Sequence, residues 1–175
     1  MYKVRTPKNE LLAFKVFFSK QIEGEELRRM AWREAQFLKH LNHPNILRYI
    51  KTIATDELIM ITTQYVSGKN LEQVQRQKFA LGSVFSELEV ANIAHHLLLA
   101  LKYVHEQGIV HGNISPSNVI LAVDERATLV DFGAAKYTKT LSDKITEKSP
   151  PMERALIDKE YLESKDINQL GVLVF

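Results

Sequence analysis

The strongest constraint on the fold is that strand-like and helix-like patterns occupy separate parts of the chain. The run "LLAFKVFF" from Leu11 to Phe18 is short, apolar and rich in aromatic residues, which predicts a buried strand. From Glu25 to Leu41 apolar residues recur at three- and four-residue steps, which predicts an amphipathic helix. The runs "ILRYIKTI" and "ELIMITTQYV" then predict two further strands. The first third is therefore expected to be a strand-rich unit around one helix.

The strongest helix pattern in the chain runs from residue 86 to residue 107. Ser86 and Glu89 have the spacing of a capping box, and Gly108 follows directly after the pattern ends. Its predicted buried face consists of Leu88, Ala91, Ala94, Leu98, Leu101 and Val104. This helix is expected to organise the second part of the chain.

Other helical and turn signals surround that helix. A short helix is expected with its N-terminal cap near Asn70, and a final helix from about Ser164. The runs "NVILAV" and "ATLVDF" predict a hairpin across "DER". The patterns together predict an α+β fold of two lobes, a small lobe of antiparallel strands and a mainly helical large lobe, joined near residues 64–68. A cleft between two such lobes is a natural ligand site.

Composition excludes several classes of function. The 175 residues include 23 basic and 21 acidic side chains spread along the chain, with a formal net charge of +2. Such a mixture produces no field of one sign, so neither nucleic acid nor a membrane is expected as a partner. The chain has no cysteine, which excludes disulfides and thiolate metal ligands and fits a reducing compartment. A cytoplasmic or nuclear location is therefore expected.

Two charged residues interrupt the apolar patterns of the first third. Lys15 lies inside the "LLAFKVFF" strand, and Glu34 falls on the apolar stripe of the following helix. An unpaired buried charge costs several kcal/mol, so the two side chains could satisfy each other. Alternatively, Lys15 extends to solvent and Glu34 lies at the edge of the stripe. The pattern alone leaves both alternatives open.

A second group of polar residues flanks the predicted hairpin. The tripeptide "DFG", Asp131 to Gly133, follows the strand "ATLV", and Asn118 lies at the start of the neighbouring strand. Oxygen ligands of this kind suit Mg²⁺, with substrate phosphates supplying the remaining ligands. If the two side chains converge, they form a magnesium site.

The order and spacing of these motifs resemble the protein-kinase domain family over nearly the whole chain. The shared elements are the "AFKVF" strand, Glu34 in the next helix, "NHPNI", "TTQYVSG", "YVHEQGIVHGNISPSNVIL", "DFG" and "DINQLGVLVF". The likeness is greatest to serine/threonine kinases, with some likeness to STRAD-type adaptor pseudokinases. The resemblance implies a truncated two-lobed kinase fold. Residues 1–66 would form a small lobe lacking the Gly-rich loop, and residues 67–175 a partial large lobe ending at the central helix.

The resemblance also implies roles for the surviving residues. Lys15 would contact the ATP phosphates and pair with Glu34, while Asn118 and Asp131 would bind Mg²⁺. The backbone of Gln64 and Val66 would bind adenine, with Thr63 at the entrance to the pocket behind it. The remaining residues carried over have structural roles: His111 packing on Phe132 of the "DFG" turn that ends at Gly133, and Asp166 bracing the loop backbone.

The catalytic loop departs from the family pattern H-R-D-L-K-P-x-N, because it reads "HGNISPSN". Asn113 replaces the aspartate that accepts the substrate proton, and an amide cannot take that proton at neutral pH. The loss of a positioned base costs about 10²–10⁴ in rate. Ser115 replaces the lysine beside the transferred phosphate, and Gly112 replaces an arginine.

The expected function is that of a catalytically impaired kinase-like domain, a pseudokinase that binds Mg·ATP weakly. It would act as a regulatory or adaptor partner of another kinase or signalling protein. An active or weakly active serine/threonine kinase is the alternative, since four nucleotide-binding residues are retained. A non-functional truncated kinase fragment is the second alternative.

Overall fold

The structure is a computed structural model that describes residues 2–18, 24–138 and 159–174. Its first part is a four-stranded antiparallel sheet with the strand order β1-β2-β4-β3. One helix, α1, contacts β2, β3 and β4 of this sheet. The elements are β1 Tyr2–Arg5, β2 Leu11–Phe18, α1 Gly24–His40, β3 Tyr49–Ala54 and β4 Leu58–Gln64.

Among the described residues, the second part combines three helices with short strands. The sheet β5-β7-β8 is antiparallel, and β6 pairs with β9. Short 3-10 turns at 116–118 and 132–134 follow the loop after β6 and the end of β8. The elements are β5 Gly68–Asn70, α2 Leu71–Ala80, α3 Glu87–Glu106, β6 Ile109–Val110, β7 Val119–Ala122, β8 Ala127–Leu129, β9 Lys136–Tyr137 and α4 Lys159–Val174.

The predicted α+β, two-lobed kinase-like fold is confirmed. β2 has the predicted bounds, and the hairpin of β7 and β8 forms across the predicted turn. β1 was not predicted, because four residues of mixed polarity carry little strand signal until β2 pairs with them. The division into lobes at residues 66 and 67 stays a prediction.

The two capping boxes explain where α2 and α3 begin. The Asn70 side chain accepts the Gln73 N–H at 2.8 Å, and Gln73 Oε1 accepts the Asn70 N–H at 3.1 Å. Ser86 and Glu89 form the same reciprocal pair at the start of α3. Each box satisfies N–H groups that a helix start leaves without partners. Both predicted caps are confirmed.

The buried face of α3 was predicted correctly at Leu101 and Val104 but wrongly at Leu88 and Leu98. Leu88 is 71% exposed and Leu98 is 47% exposed, whereas the neighbouring stripe is buried. The buried residues of α3 are Ile93, Leu97, Ala100, Leu101 and Val104. This helix carries apolar residues on most of its circumference, so periodicity does not select one face. The contacts of α3 with β8, β6 and α4 make the selection.

Gly68, at the end of the connection between the lobes, packs closely against β7. Gly68 pairs with Ala122 of β7, and a Cβ added at Gly68 would lie 2.0 Å from the carbonyl oxygen of Leu121. No side chain can occupy this position without moving one of the two strands. The approach fixes where the chain enters the large lobe after the interlobe connection.

We expect Gly68→Ala to lower the free energy of unfolding by about 1–3 kcal/mol, as overpacked sites do. Gly171→Ala is the matched control, since a Cβ at Gly171 in α4 meets nothing within 4 Å. Alanine is the better helix former there, so the control is expected to gain up to about 1 kcal/mol. Urea unfolding followed by circular dichroism measures both values. Equal stability of Gly68→Ala and wild type would contradict the close approach.

Candidate functional site

Lys15 and Glu34 meet between the sheet and α1. The Lys15 ammonium lies 2.9 Å from Oε1 and 2.7 Å from Oε2 of Glu34. The Glu34 side chain is only 5% exposed, whereas that of Lys15 is 31% exposed. The alternative in which Lys15 extends to solvent and Glu34 lies at the edge of the stripe is therefore wrong. The two charges that interrupt the apolar patterns are each other's partners.

Asp131 joins this pair from the end of β8. The Lys15 ammonium donates to Oδ1 of Asp131 at 3.0 Å, across 116 residues of sequence. Asp131 has a left-handed backbone, with φ of 65°, and its Oδ1 also accepts the Gly133 N–H at 3.4 Å. A left-handed backbone is uncommon for residues other than glycine, although aspartate tolerates it better than most. Sequence reasoning did not predict the contact between Lys15 and Asp131.

Burial and charge act against each other within this ionic triad of Lys15, Glu34 and Asp131. Burial lowers the pKa of Lys15, but the two carboxylates outweigh it, so that pKa lies above its ordinary value. Burial raises the pKa of Glu34 above its ordinary value, although the Lys15 ammonium acts in the opposite direction. Burial thus disfavours the charged form of both side chains, and Glu34 is the more deeply buried of the two.

Asn118 lies beside the same strand end as Asp131. The Val130 N–H donates to the Asn118 carbonyl oxygen at 2.9 Å, which continues the pairing of β7 with β8 by one residue. The side-chain amide of Asn118 donates to the Asn113 carbonyl at 3.0 Å, so its Oδ1 is the end that does not donate. Both described contacts of Asp131 use Oδ1, and Oδ2 has no hydrogen-bond partner among the described residues. These oxygen donors fit a hard cation such as Mg²⁺.

His111 anchors the loop from inside the core. Its ring lies edge-on to the Phe132 ring, with centroids 4.7 Å apart, and both residues are fully buried. The ring Nε2 donates to the Val130 carbonyl at 3.1 Å, and Nδ1 accepts the Asn113 N–H at 3.2 Å. This arrangement assigns the neutral tautomer with hydrogen on Nε2. Burial lowers the pKa of His111 below its ordinary value, which also favours the neutral ring.

Asp166 of α4 holds the backbone of the loop from the opposite side. Its Oδ2 accepts the His111 N–H and its Oδ1 accepts the Gly112 N–H, both at 2.8 Å. Two further side chains were missed by sequence reasoning. His105 of α3 lies 2.9 Å from Asp166 Oδ2, and Gln169 of α4 accepts the Ile114 N–H at 3.0 Å. Only the packing of α4 against α3 and against the loop brings these groups together, so the sequence carried no signal for them.

The three loop positions that depart from the family pattern, Gly112, Asn113 and Ser115, carry no charge. Asn113 is exposed, and its backbone N–H and carbonyl both hold the loop in shape. The Ser115 hydroxyl lies 2.9 Å from that of Ser117. Gly112 has a left-handed backbone with φ of 77°, which glycine adopts without strain. The loop therefore keeps its geometry with neutral residues at all three positions.

The connection between the lobes offers backbone groups to a ligand. Thr63 is buried, and it pairs with Ala13 in the register of β2 and β4. The N–H groups of Gln64 and Tyr65 donate to Arg48 and Leu11 carbonyls within the fold. The Val66 N–H forms no hydrogen bond with the described residues, so a ligand could use this amide.

Residues 1–175 match the protein kinase domain family. The chain belongs to that family. Aurora kinase C of Mus musculus is 30% identical over 181 residues, covering 100% of this chain and 63% of that protein. Serine/threonine-protein kinase Aurora-1 of Arabidopsis thaliana is 27% identical over 172 residues, covering 95% of this chain and 56% of that protein.

A third relative is similar over a shorter region. Mitogen-activated protein kinase kinase kinase 2 of Arabidopsis thaliana is 35% identical over 109 residues, covering 62% of this chain and 16% of that protein. The chain thus spans at most 63% of the length of each of these kinases. The chain is thus similar to Aurora kinases and other serine/threonine kinases.

The described part of the chain contains neither a membrane-spanning helix nor a cluster of side chains that could hold a metal ion. Within residues 2–18, 24–138 and 159–174, no helix has both the length and the hydropathy needed to cross a bilayer. In the same part of the chain, no cluster of three or more His, Cys, Asp or Glu side chains could hold a metal ion. A cation at Asp131 would therefore depend on the Asn118 amide and on oxygens of a bound ligand.

Burial of neutral His111 makes the stability of the kinase domain depend on pH. Between its lowered native pKa and about 6.5, the unfolded histidine binds a proton that the native ring does not. Stability should therefore fall as pH decreases below about 6.5, by at most about 1.4 kcal/mol per pH unit for one proton. His43 and His96 are shifted in the same direction by burial.

Urea unfolding between pH 7.5 and pH 5.5 measures this slope, with His111→Gln as the comparison. Glu34 acts in the opposite direction, because its raised native pKa adds stability as pH falls through that value. Subtraction of the variant's slope from that of wild type cancels the Glu34 contribution and leaves the contribution of His111. Identical slopes in the two proteins would show that His111 does not supply the proton uptake.

Proposed function

We propose that this chain is a catalytically impaired protein-kinase domain that binds Mg·ATP weakly and regulates another protein. The observation that carries the proposal is the combination of an ordered Lys15–Glu34–Asp131 triad with Asn113 at the position of the catalytic base. In protein kinases the residues of this triad bind the nucleotide, whereas the carboxylate that is missing here accepts the substrate proton during phosphate transfer. Such a domain would bind nucleotide without transferring phosphate efficiently.

Several contacts support nucleotide binding. In protein kinases the lysine that pairs with the helix glutamate contacts the phosphates of ATP, and Lys15 is already held by Glu34. The free Val66 N–H and the Gln64 backbone lie in the segment between the lobes, where adenine would bind. Thr63, which pairs with Ala13 in the register of β2 and β4, has a small side chain and directly precedes that segment.

The metal ligands in this proposal are Asp131 and Asn118. Bound Mg²⁺ would neutralise charge on the nucleotide phosphates. Asp131 would supply Oδ2 and Asn118 its Oδ1, while Gly133 and His111 keep the two strand ends in place through the contacts described above. The turn after β8 would thus hold the carboxylate in position before any ligand arrives.

The transfer step lacks the groups that kinases use. Asn113 can donate from its amide but cannot accept a proton from a substrate hydroxyl at neutral pH. The loss of a base accounts for about 10²–10⁴ in rate. Ser115 offers a hydroxyl where the family has a lysine, so charge on the transferred phosphate would be stabilised less strongly. We therefore assign the chain a regulatory or adaptor role.

A protein is the partner that this role requires, and another kinase or signalling protein is the class we propose. Four large apolar side chains near the connection of α2 and α3 are more than 70% exposed: Phe79, Leu81, Val84 and Leu88. Exposed apolar surface of this extent is typical of protein interaction sites. We place this function in the cytoplasm or the nucleus, which fits a chain without cysteine.

An active or weakly active serine/threonine kinase is the second candidate. It is favoured by the closed Lys15–Glu34 pair and by the similarity to Aurora kinases. Phosphoryl transfer depends mainly on positioning and electrostatics, so the missing base does not abolish it by itself. The two candidates differ in whether phosphate moves from ATP to a protein.

Nucleotide binding is tested by thermal unfolding with millimolar Mg·ATP. We expect a cooperative melt that Mg·ATP shifts upward, because a ligand that binds the native state stabilises it. In Lys15→Ala the shift should be reduced or absent. The absence of a shift in both proteins would refute nucleotide binding, and aggregation without a melt would favour the fragment hypothesis.

Phosphate transfer is tested with radiolabelled ATP and generic protein substrates. Wild type is expected to transfer no more label than Asp131→Ala, which removes the proposed metal ligand. The double variant Asn113→Asp with Ser115→Lys restores both missing groups and should raise the rate about 10²-fold or more above wild type. Transfer by wild type that Asp131→Ala abolishes would establish the active-kinase alternative instead.

A further inference from the structure

A cavity of about 440 Å³ lies beside the connection between the lobes. Its walls come from three stretches of the chain, within residues 44–48, 64–67 and 122–128. A volume of about 300–1,000 Å³ is typical of sites for small molecules, and both lobes contribute to this one. It is lined by none of the four side chains of the proposed nucleotide site, which are Lys15, Glu34, Asn118 and Asp131.

Backbone hydrogen bonds fix the three walls of this cavity relative to one another. The Gln64 N–H donates to the Arg48 carbonyl at 2.9 Å, and the Val123 N–H donates to the Ser67 carbonyl at 3.1 Å. The connection is thus bonded to the segment before β3 at one end and to the β7–β8 hairpin at the other. The cavity is therefore formed without a ligand, as sites for small molecules usually are.

The Arg48 guanidinium is the unpaired charge of this cavity. Arg48 is exposed, and its side chain forms neither an ion pair nor a hydrogen bond within residues 2–18, 24–138 and 159–174. A guanidinium presents five N–H donors in a planar fork and keeps its charge at neutral pH. The groups that match this fork are carboxylates and phosphates, which it binds through two parallel hydrogen bonds.

The other two charged residues of the lining offset each other. Arg126 Nη2 lies 3.0 Å from Asp124 Oδ2, and Asp124 Oδ1 accepts the Arg126 N–H at 3.3 Å. The lining therefore keeps a net charge of +1, which comes from Arg48. The two side chains of the Asp124–Arg126 pair are 58% and 48% exposed, so the pair is weak and leaves Arg126 available for a second contact.

Neutral residues complete the lining and set the shape of the ligand. Pro44, Ile46 and Val66 supply apolar surface, whereas Ser67 and Thr128 are small residues with hydroxyl groups. A bare anion would leave the apolar part of the cavity without contacts. The ligand that fits therefore carries its anionic group on a small apolar body.

We propose that this cavity is a second binding site, for a small ligand that carries a phosphate or carboxylate group on an apolar body, and that Arg48 recognises the anion. The inference goes beyond the proposed function, because it concerns other side chains and does not require a nucleotide. Gln64 and Val66 belong both to the cavity lining and to the segment where adenine would bind. The two sites would thus share one wall.

Titration of the full chain with phenyl phosphate, followed by nuclear magnetic resonance, tests the inference. The backbone amides of Ser67 and Val123 and the side-chain N–H of Arg48 should shift, and the shifts measure the Kd. Inorganic phosphate and benzyl alcohol each carry one half of this probe, so both should bind more weakly. Benzoate distinguishes the two anions, since tighter binding than that of phenyl phosphate assigns the site to carboxylates and weaker binding assigns it to phosphates.

Arg48→Gln should weaken the Kd for phenyl phosphate about 10–150-fold, the effect of losing one hydrogen bond to a charged group. Arg76→Gln is the matched control, because it removes an exposed guanidinium of α2 that does not line the cavity, and it should leave the Kd unchanged. Lys15→Ala disables the proposed nucleotide site and should also leave this Kd unchanged. Thermal melts establish that the three variants fold.

Three outcomes would overturn the inference. The first is the absence of shifts at the cavity with all four probes. The second is an equal Kd in wild type and Arg48→Gln, because Arg48 would then not bind the anion. The third is loss of the shifts in Lys15→Ala, which would show that the probe occupies the nucleotide site instead. None of these results decides the proposed function, which is tested separately by Mg·ATP.

Discussion

The contact on which the rest of the site depends is the shared ammonium of Lys15. It joins β2 of the sheet to α1 through Glu34 and to the end of β8 through Asp131, so three distant segments meet at one charge. Glu34 needs this partner because a buried carboxylate without an opposite charge is costly, whereas the Asp131 side chain is 40% exposed. The position of α1 relative to the sheet and the place of the turn after β8 are coupled electrostatically through Lys15.

The loop between β6 and β7 shows that shape and chemistry can be separated. Its backbone is held by Asp166, by the Asn118 amide and by the buried ring of His111. None of these contacts uses the side chain of Asn113 or that of Ser115, two positions at which the loop departs from the family pattern. Neutral residues at these positions thus leave the loop in place, and under the proposed function the domain would keep a kinase-like surface without the kinase reaction.

Sequence patterns predicted the structure correctly where interactions between neighbouring residues determine it. The short apolar run at β2 and the capping boxes at Ser86 and Asn70 were located correctly, because strand burial and helix starts depend on neighbouring residues. The buried face of α3 was predicted wrongly at Leu88 and Leu98, because a helix with apolar residues on most sides is oriented only by what packs against it. The contacts of His105 with Asp166 and of Gln169 with the Ile114 N–H were missed for a related reason, since the partners are 61 and 55 residues apart in sequence.

The sequence by itself determined the family resemblance and the presence of an amide at Asn113, since residue identity alone decides whether a side chain can accept a proton. It also marked Lys15 and Glu34 as anomalous, but it left their pairing open. Only the tertiary structure decided that they meet and that Asp131 joins them from 116 residues away. The physical reason is that the energy of a buried charge depends on its distance from other charges, and that distance exists only after the chain has folded.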